Sequence, residues 1–339
     1  MKYNQIPIFP LQRPKEIPMF TNRNNRPEIL IFLCGDCNLR CEFCCDQARY
    51  SDKLTVEGIQ LRTGLFNKII DQFQCKEIDV VCFGGEVFQD KHSDQLFDHI
   101  DNFYDNIKNQ LIKRNIEYSF YNTTNLIYKN IDRCIDFWKR WDIGVRCSFD
   151  LAGRFTKQWQ IDLFMTNFKK ILDAGIPTLI NFVAHKENIK RIQNKGENYP
   201  YWKWLYDNCS MCLGEYDDSQ TRRPDFAITE QQLGEFFIFL NDNYPKITNI
   251  RNIVDNYIDR HNPTPYCAYN VVIDRNVSWQ CCDRNEAIID FHNNKRCYQC
   301  EFYSTCYGTC PRIYHQNEYC HIRDLLNHVK QRYDIHNLH

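Results

Sequence analysis

Three cysteines near the start of the chain have a spacing that is typical of a metal-binding loop. Cys37, Cys41 and Cys44 are separated by three and then by two residues, and they follow a short apolar segment that is predicted to be a β-strand. Three thiolates from one loop can bind three irons of a cubane iron–sulfur cluster, which leaves the fourth iron without a protein ligand. A small molecule can bind and react at that open iron. The spacing therefore indicates a catalytic cluster.

Zinc is the alternative metal for this loop. A zinc ion would need a fourth protein ligand, which Cys34 or Cys45 could provide. Both lie outside the spacing of the three, and thiols of the core or beside the site are the other interpretation. The chain has 19 cysteines, an odd number, and its first residues lack the apolar core of a signal peptide. A disulfide framework is therefore disfavoured, and metal ligation is the better account.

A second group of cysteines lies toward the end of the chain. Its eight members are Cys267, Cys281, Cys282, Cys297, Cys300, Cys306, Cys310 and Cys320. Such paired spacing favours a metal site, again with zinc as the competing interpretation. Between the first two members, residues 271–279 are predicted to form a β-hairpin that turns at 274–276.

The first cysteine loop resembles the signature of the radical S-adenosylmethionine (SAM) superfamily. The CxxxCxxC spacing matches, and Phe43 supplies the aromatic residue that often precedes the third cysteine. The resemblance implies that the amino and carboxylate groups of SAM chelate the fourth iron. It also implies that an electron from the cluster cleaves the sulfonium to a 5′-deoxyadenosyl radical, which abstracts hydrogen from a substrate.

The same resemblance implies a set of SAM contacts at the ends of three later strands. The segment FGGEV is similar to the family's GGE element, which holds the SAM amino group, although Val87 stands where a proline is usual. The segments TTN and SFD lie where family members contact the SAM ribose and carboxylate. The implied cofactor-binding residues are Phe43, Gly84, Gly85, Glu86, Asn125, Ser148 and Asp150.

The second group of cysteines resembles the SPASM domain, an extension that binds auxiliary iron–sulfur clusters. The resemblance implies a distal [4Fe-4S] cluster held by Cys297, Cys300, Cys306 and Cys320, and a proximal one held by Cys267, Cys281 and Cys310. The cysteine that often lies six positions before Cys267 is absent, and His261 stands there. The fourth proximal ligand can be His261 or Cys282, or that iron can stay open, and an ordinary surface histidine is the other interpretation of His261. Cys209 and Cys212 could also provide a thiolate ligand, although a lone CxxC in the middle of a chain more often has a structural role.

Apolar segments and amphipathic helices alternate through the first two thirds of the chain. Five short apolar segments are predicted strands: 28–34, 78–83, 116–121, 143–149 and 176–184. A sixth, weaker signal lies between Trp204 and Gly214. Ser93 is the expected N-cap of one helix, Gly175 the end of another, and Thr229 with Gln232 a capping box.

This alternation predicts an α/β fold, a partial (β/α)6 TIM barrel with a small C-terminal cysteine-rich domain for the auxiliary clusters. The cysteine loop and the segments FGGEV, TTN and SFD all fall at the carboxyl ends of predicted strands, where barrel folds have their active sites. The expected domains along the chain are an N-terminal extension 1–27, the barrel 28–240, a helical linker 241–259, the SPASM-like domain 260–325 and a tail 326–339.

The overall charge excludes two classes of partner. Lys and Arg total 42 against 43 Asp and Glu, so no general field attracts the protein to nucleic acid or to a membrane surface. With neither a signal peptide nor an apolar run long enough to span a bilayer, a cytoplasmic protein is expected.

The leading functional hypothesis is a maturase that oxidises or crosslinks a ribosomally synthesised precursor peptide. Its expected partners are that peptide, a flavodoxin or ferredoxin-type reductant, and a separate leader-binding protein, because fewer than thirty residues precede the first strand. A dehydrogenase or epimerase of a small molecule such as an aminosugar is one alternative, and a zinc-binding scaffold protein is another.

Overall fold

Among the residues that the computed structural model describes, eight β-strands form one sheet in the order β6-β5-β4-β3-β2-β1-β7-β8. The described residues are 27–44, 51–72, 75–216, 223–259, 271–275, 277–279, 300–302, 306 and 319–333. The strands are β1 (Glu28–Cys34), β2 (Glu77–Gly84), β3 (Glu117–Thr124), β4 (Ile143–Ser148), β5 (Thr178–Ala184), β6 (Ser210–Glu215), β7 (Val271–Ile273) and β8 (Val277–Trp279). Every neighbouring pair is parallel except β7 and β8, which form the predicted antiparallel hairpin.

Helices connect successive strands from β1 to β6, as the alternating pattern predicts, and among the described residues two more lie between β6 and β7 and one follows β8. They are α1 (Val56–Ile69), α2 (Asp94–Lys113), α3 (Ile131–Trp141), α4 (Gln158–Asp173), α5 (Lys186–Gln193), α6 (Tyr199–Asn208), α7 (Glu230–Asn243), α8 (Thr248–Ile258) and α9 (His321–Tyr333). The weak sixth signal is confirmed as α6 followed by β6. None of the helices in the described part of the chain has both the length and the apolar character needed to cross a bilayer.

Three local signals end or begin helices where the sequence indicates. The Ser93 hydroxyl accepts a hydrogen bond from the Leu96 N–H at the start of α2. Thr229 and Gln232 form a reciprocal capping box at the start of α7. Gly175 follows α4 with a φ of +72°, a left-handed conformation that favours glycine. Each prediction is confirmed.

The two faces of the sheet carry different side chains. In β3, Phe120 is buried against Tyr104 of α2, with ring centroids 5.1 Å apart, so this face packs on the helices. Tyr121 points to the opposite face, which we call the inner face. A Cβ at Gly144 would lie 2.8 Å from the Tyr121 ring, and the Arg146 guanidinium lies 4.5 Å from that ring's centroid. The inner face therefore holds polar and aromatic groups.

An ion pair across the inner face shows that the sheet curls. Arg146 of β4 donates from Nη2 to Oε1 of Glu28 in β1 over 2.8 Å, although β2 and β3 lie between the two strands. In a flat sheet, strands three positions apart would be separated by about 14 Å, too far for these side chains to meet. The curvature matches the predicted partial barrel.

The C-terminal part of the described chain is attached to the barrel. β7, which the sequence analysis assigns to the auxiliary domain, pairs with β1. In α9, His321 is buried and its ring lies 4.8 Å from that of Phe237 in α7. Residues 326–333, expected as part of a tail, form the second half of this helix. The domain boundaries themselves stay a prediction.

Candidate metal centre

The loop after β1 holds the three predicted cluster cysteines, of which Cys41 is buried while Cys37 and Cys44 are half-buried. Burial raises the pKa of Cys37 to about 12, with further increases from Glu86 and from the nearby thiols of Cys41 and Cys44. The pKa of Cys41 is also raised, again first by burial. Desolvated thiols that raise one another's pKa deprotonate when a metal supplies the compensating positive charge.

The arrangement of these thiols can be compared with two kinds of metal group. In the described residues, no three His, Cys, Asp or Glu side chains converge as a single metal ion would require. A cubane binds each thiolate to a different iron, so its ligands surround the cluster and do not meet at one point. The three thiols are neighbours that fit this larger group. Cys45, a candidate zinc ligand, lies outside the described residues, and Cys34 is buried with its thiol 3.8 Å from the carbonyl oxygens of Asp36 and Glu86.

Neutral donors point at the sulfur of Cys37. The Leu39 N–H and Nδ2 of Asn125 each lie 3.4 Å from Sγ of Cys37. Asn125 also donates from Nδ2 to Oδ1 of Asn38 over 2.7 Å and accepts from the Ile127 N–H over 2.8 Å. The Asn125 amide therefore contacts two residues of the cysteine loop, Cys37 and Asn38. Its SAM contact, implied by the resemblance, stays a prediction.

A cation lies beside the sulfur of Cys41. Nη1 of Arg154 is 3.6 Å from Sγ of Cys41, and Nε of Arg154 donates to Oδ2 of Asp150 over 2.7 Å. The other carboxylate oxygen of Asp150 accepts from the Val183 N–H and from Nδ2 of Asn188, both over 2.7 Å. Protein donors thus engage both oxygens of Asp150. Arg154 is not among the residues predicted from the sequence, where its only signal is an arginine four residues after Asp150 in the loop that follows β4.

Two glycines allow the loop after β2 to lie directly on the cysteine loop. Gly84 has a φ of +139°, and a Cβ there would lie 2.2 Å from the carbonyl oxygen of Cys34. A Cβ at Gly85 would lie 2.2 Å from the carbonyl oxygen of Asp36. The Gly85 N–H donates to Cys34 over 2.6 Å, and the Glu86 N–H donates to Asp36 over 2.8 Å. Only glycine permits this close backbone approach at both positions.

The Glu86 carboxylate ties the end of β2 to the end of β3. Its Oε2 accepts from the Asn125 N–H over 2.7 Å and from the Thr124 hydroxyl over 3.0 Å, and its Oε1 accepts from the Phe88 N–H over 3.1 Å. The residue is fully buried, and burial raises its pKa to about 7. Its oxygens bind groups of the protein itself, whereas the contact of this loop with the SAM amino group stays a prediction.

Phe43 and Ser148 occupy different surroundings. The Phe43 ring packs against Gly153, where a Cβ would lie 2.9 Å from it, and 5.1 Å from the ring of His185, which stacks on Phe226 at 4.4 Å. Ser148 is half-buried at the end of β4, on the same face as Arg146. Their roles toward SAM stay predictions.

The described residues contain three cysteines of the second group. Cys300, Cys306 and Cys320 are half-buried and pack against the core. The pKa of Cys320 is raised, mainly by burial and to a lesser extent by Glu230 and by Cys300. The remaining predicted auxiliary residues lie outside the described residues: His261, Cys267, Cys281, Cys282, Cys297 and Cys310.

The mid-chain thiols Cys209 and Cys212 lie at the start of β6. Burial raises the pKa of Cys209 to about 12 and that of Cys212 to about 11. Cys212 pairs in register with Asn181, and Asn181 with Ser148, so Cys212 lies on the inner face.

Comparison with known proteins gives similarity in structure alone. No family model matches the sequence, and no curated protein matches it either. A structure of native anSMEcpe with bound AdoMet is 12% identical, covers 92% of this chain and 98% of its own, and has a TM-score of 0.60. The same protein with AdoMet and the Kp18Cys peptide is 13% identical, with a TM-score of 0.61 over 92% of this chain and 99% of its own.

A second structural neighbour is SuiB of Streptococcus suis. Its complex with S-adenosylmethionine is 14% identical, covers 84% of this chain and 73% of its own, and has a TM-score of 0.54. Its complex with the precursor peptide SuiA has the same identity and TM-score and covers 72% of its own chain. These neighbours confirm the predicted fold class. The chain shares an α/β partial-barrel fold with anSMEcpe and SuiB.

Proposed function

We propose that this chain is a radical SAM enzyme that uses SAM to modify a ribosomally made peptide by oxidation or crosslinking. The observation that carries the proposal is the loop after β1, which holds Cys37, Cys41 and Cys44. The first two of these thiols receive N–H···S contacts from the loops after β3 and β4. A [4Fe-4S] cluster bound there would supply the electron that cleaves SAM.

The residues around this loop would hold the cluster and position the cofactor. Gly84 and Gly85 bring the backbone after β2 onto the cysteine loop, which would leave the carbonyls of this turn near the cluster. The Glu86 carboxylate fixes that turn to the end of β3. A rigid site of this kind suits radical chemistry, because a reactive intermediate attacks whatever group it meets.

We expect a substrate to bind along the inner face of the barrel. Tyr121, Arg146, Ser148 and Asn181 give it aromatic and polar character, and Glu28 pairs with Arg146 across it. The peptide-bound forms of anSMEcpe and SuiB support a peptide as the substrate class. Cys300, Cys306 and Cys320, with the cysteines outside the described residues, would hold two auxiliary clusters, which favour loss of an electron from the substrate.

The first test is metal content and SAM cleavage after anaerobic purification and cluster reconstitution. We expect about twelve irons per chain for three cubane clusters, a brown colour, and 5′-deoxyadenosine from SAM and reductant. Cys37→Ala is expected to lose about four irons and all cleavage. Cys75→Ala is the matched control, because this half-buried thiol precedes β2 and lies outside the motif. Zinc in place of iron, with no cleavage of SAM, would support the scaffold alternative.

The substrate class is tested separately. The reduced enzyme is incubated with SAM and with peptides encoded beside its gene, and each peptide is examined by mass spectrometry. The expected result is a peptide that has lost two hydrogens for each new bond or oxidised side chain. Formation of 5′-deoxyadenosine only with a small metabolite such as an aminosugar would contradict the peptide assignment and leave the cluster chemistry standing.

A further inference from the structure

The two thiols with described donors differ in the charge of those donors. Cys37 receives neutral groups, the Leu39 N–H and the Asn125 amide, each at 3.4 Å. Cys41 receives a guanidinium, with Nη1 of Arg154 at 3.6 Å from its sulfur. An arginine carries its positive charge at all working pH values, so a thiolate at Cys41 lies beside a permanent cation.

An ion pair with Asp150 holds Arg154 in this position. Its side chain is 12% exposed, and its Nε is bound by Asp150, whose side chain is fully buried. Asp150 is itself fixed by the Val183 N–H and by Asn188, and Nδ2 of Asn188 also donates to the Val183 carbonyl over 2.8 Å. A guanidinium anchored this way cannot turn toward solvent without breaking a buried ion pair.

The backbone before Arg154 is fixed as well. Gly153 has a φ of +76°, and a Cβ there would lie 2.8 Å from the ring of Phe226 and 2.9 Å from that of Phe43. The Gly153 carbonyl accepts from the Glu42 N–H, within the cysteine loop, over 2.8 Å. The loop after β4 is thus packed against the cysteine loop at both residues.

The Asp150–Arg154 pair presents its positive end to the cysteine loop. Nη1 of Arg154 lies 3.6 Å from Sγ of Cys41, whereas Asp150 accepts from Nε of the same guanidinium over 2.7 Å. The second oxygen of Asp150 accepts from the Val183 N–H and from Asn188.

A positive charge beside a cluster ligand has a defined consequence. A cubane with three thiolates is anionic, and it gains one more negative charge when it is reduced. A fixed cation close to a ligand sulfur stabilises the reduced state more than the oxidised state, and the effect is strong where burial keeps the effective dielectric constant low.

We propose that Arg154, positioned by Asp150, raises the reduction potential of the cluster held by Cys37, Cys41 and Cys44. The inference rests on the proposed function, because it needs a redox-active cluster at this loop. Arg154 would affect the cluster through its ligand Cys41 and would not itself contact the reacting atoms. The pattern of cysteines gives no indication of it.

The test is a redox titration of the reconstituted enzyme followed by electron paramagnetic resonance. The signal that changes when SAM is added identifies the cluster of interest among the others. Arg154→Gln is expected to lower the equilibrium constant for reduction at least tenfold, which is about 59 mV for a one-electron couple. Arg154→Lys keeps the charge and is expected to show less than half of that shift. Arg223→Gln is the matched control, because Arg223 pairs with Glu42 of the same loop and is expected to leave the potential unchanged.

A second variant covers the case in which Arg154→Gln loses iron because Asp150 is left as a buried, unpaired charge. The double variant Asp150→Asn with Arg154→Gln removes both charges. We expect its equilibrium constant for reduction to be at least threefold lower than that of the wild type. A wild-type potential in whichever of these variants retains the cluster would overturn the inference. Loss of iron from both, with full iron in Arg154→Lys, would also overturn it, since Arg154 would then be needed for cluster assembly. If the wild-type chain binds no cluster, the proposed function itself fails.

Discussion

Nδ2 of Asn125 lies 3.4 Å from Sγ of Cys37, so the loop after the third strand contacts the first cysteine of the candidate cluster. The same amide group binds Asn38 and accepts from the Ile127 N–H. Two of these contacts, to Cys37 and to Asn38, link two loops that meet at the carboxyl edge of the sheet, and the third fixes the Asn125 amide within its own loop. This link gives the first prediction.

Replacing Asn125 is expected to loosen the cysteine loop. Asn125→Ala removes the donor to Cys37 and leaves the Ile127 N–H without its acceptor, which is expected to cost about 2 kcal/mol of the free energy of unfolding. The variant should also lose iron faster to a chelator under anaerobic conditions. Asn109→Ala is the control, because its amide binds only Asp105 on the exposed side of α2 in the described contacts. Equal rates of iron loss in the two variants would contradict the prediction.

A methyl group at Gly85 is expected to disrupt the site. Gly85→Ala would place Cβ 2.2 Å from the carbonyl oxygen of Asp36, and because both groups are backbone, one loop must move. We expect a loss of about 3 kcal/mol and failure to retain the cluster at the three cysteines. Iron analysis and anaerobic thermal unfolding measure both effects.

Gly64→Ala is the control for Gly85→Ala and is expected to raise the free energy of unfolding in the same assay. Gly64 lies inside α1 and a Cβ there meets nothing within 4 Å. Alanine is the better helix former, so this variant should gain about 0.5–1 kcal/mol. A Gly85→Ala protein as stable as Gly64→Ala would show that the two loops are not packed as described.

Glu86 is expected to make stability depend on pH. Burial raises the pKa of its carboxyl from an ordinary 4.5 to about 7. Between these values the unfolded chain releases the proton while the folded chain keeps it, so stability falls as pH rises and levels off above pH 7. Since one pKa unit corresponds to about 1.4 kcal/mol, the loss between the two limits is about 3 kcal/mol.

The variant Glu86→Gln removes this titration. Its unfolding free energy should lack the fall between about pH 4.5 and pH 7 that the wild type shows, whatever its absolute stability. Glu57→Gln, on the exposed side of α1, should keep the wild-type pH profile. Anaerobic denaturant unfolding at five pH values measures the slopes, and parallel curves for the wild type and Glu86→Gln would rule out this role for the carboxyl.

The ion pair on the inner face is expected to stabilise the curled sheet. Arg146→Ala leaves Glu28, whose side chain is 24% exposed, facing the interior without this guanidinium, and we expect a cost of about 2 kcal/mol. Arg251→Ala breaks a pair with Asp255 in which the arginine is 64% exposed, and should cost less than about 0.5 kcal/mol. Thermal unfolding compares the two, and equal costs would mean that the interior pair contributes no more than a surface one.

The alternation of strands and helices could be predicted because each of its signals is local. A strand that is covered on both faces shows as a short apolar run, and a helix shows its period and its caps in consecutive residues. Ser93, Gly175 and the Thr229 capping box act within one helical turn, and all three are confirmed. The attachment of β7 to β1 could not be predicted this way, because it joins segments more than two hundred residues apart.

That Cys37, Cys41 and Cys44 lie in one loop after the first strand follows from the order of residues alone, since a spacing of a few residues fixes which thiols can be neighbours. The groups that face those thiols are set by the folded chain. Asn125 is 88 residues from Cys37, and Arg154 is 113 residues from Cys41. Such contacts depend on the register of the parallel strands and on the path of the loops at their carboxyl ends, and no local pattern encodes either of them.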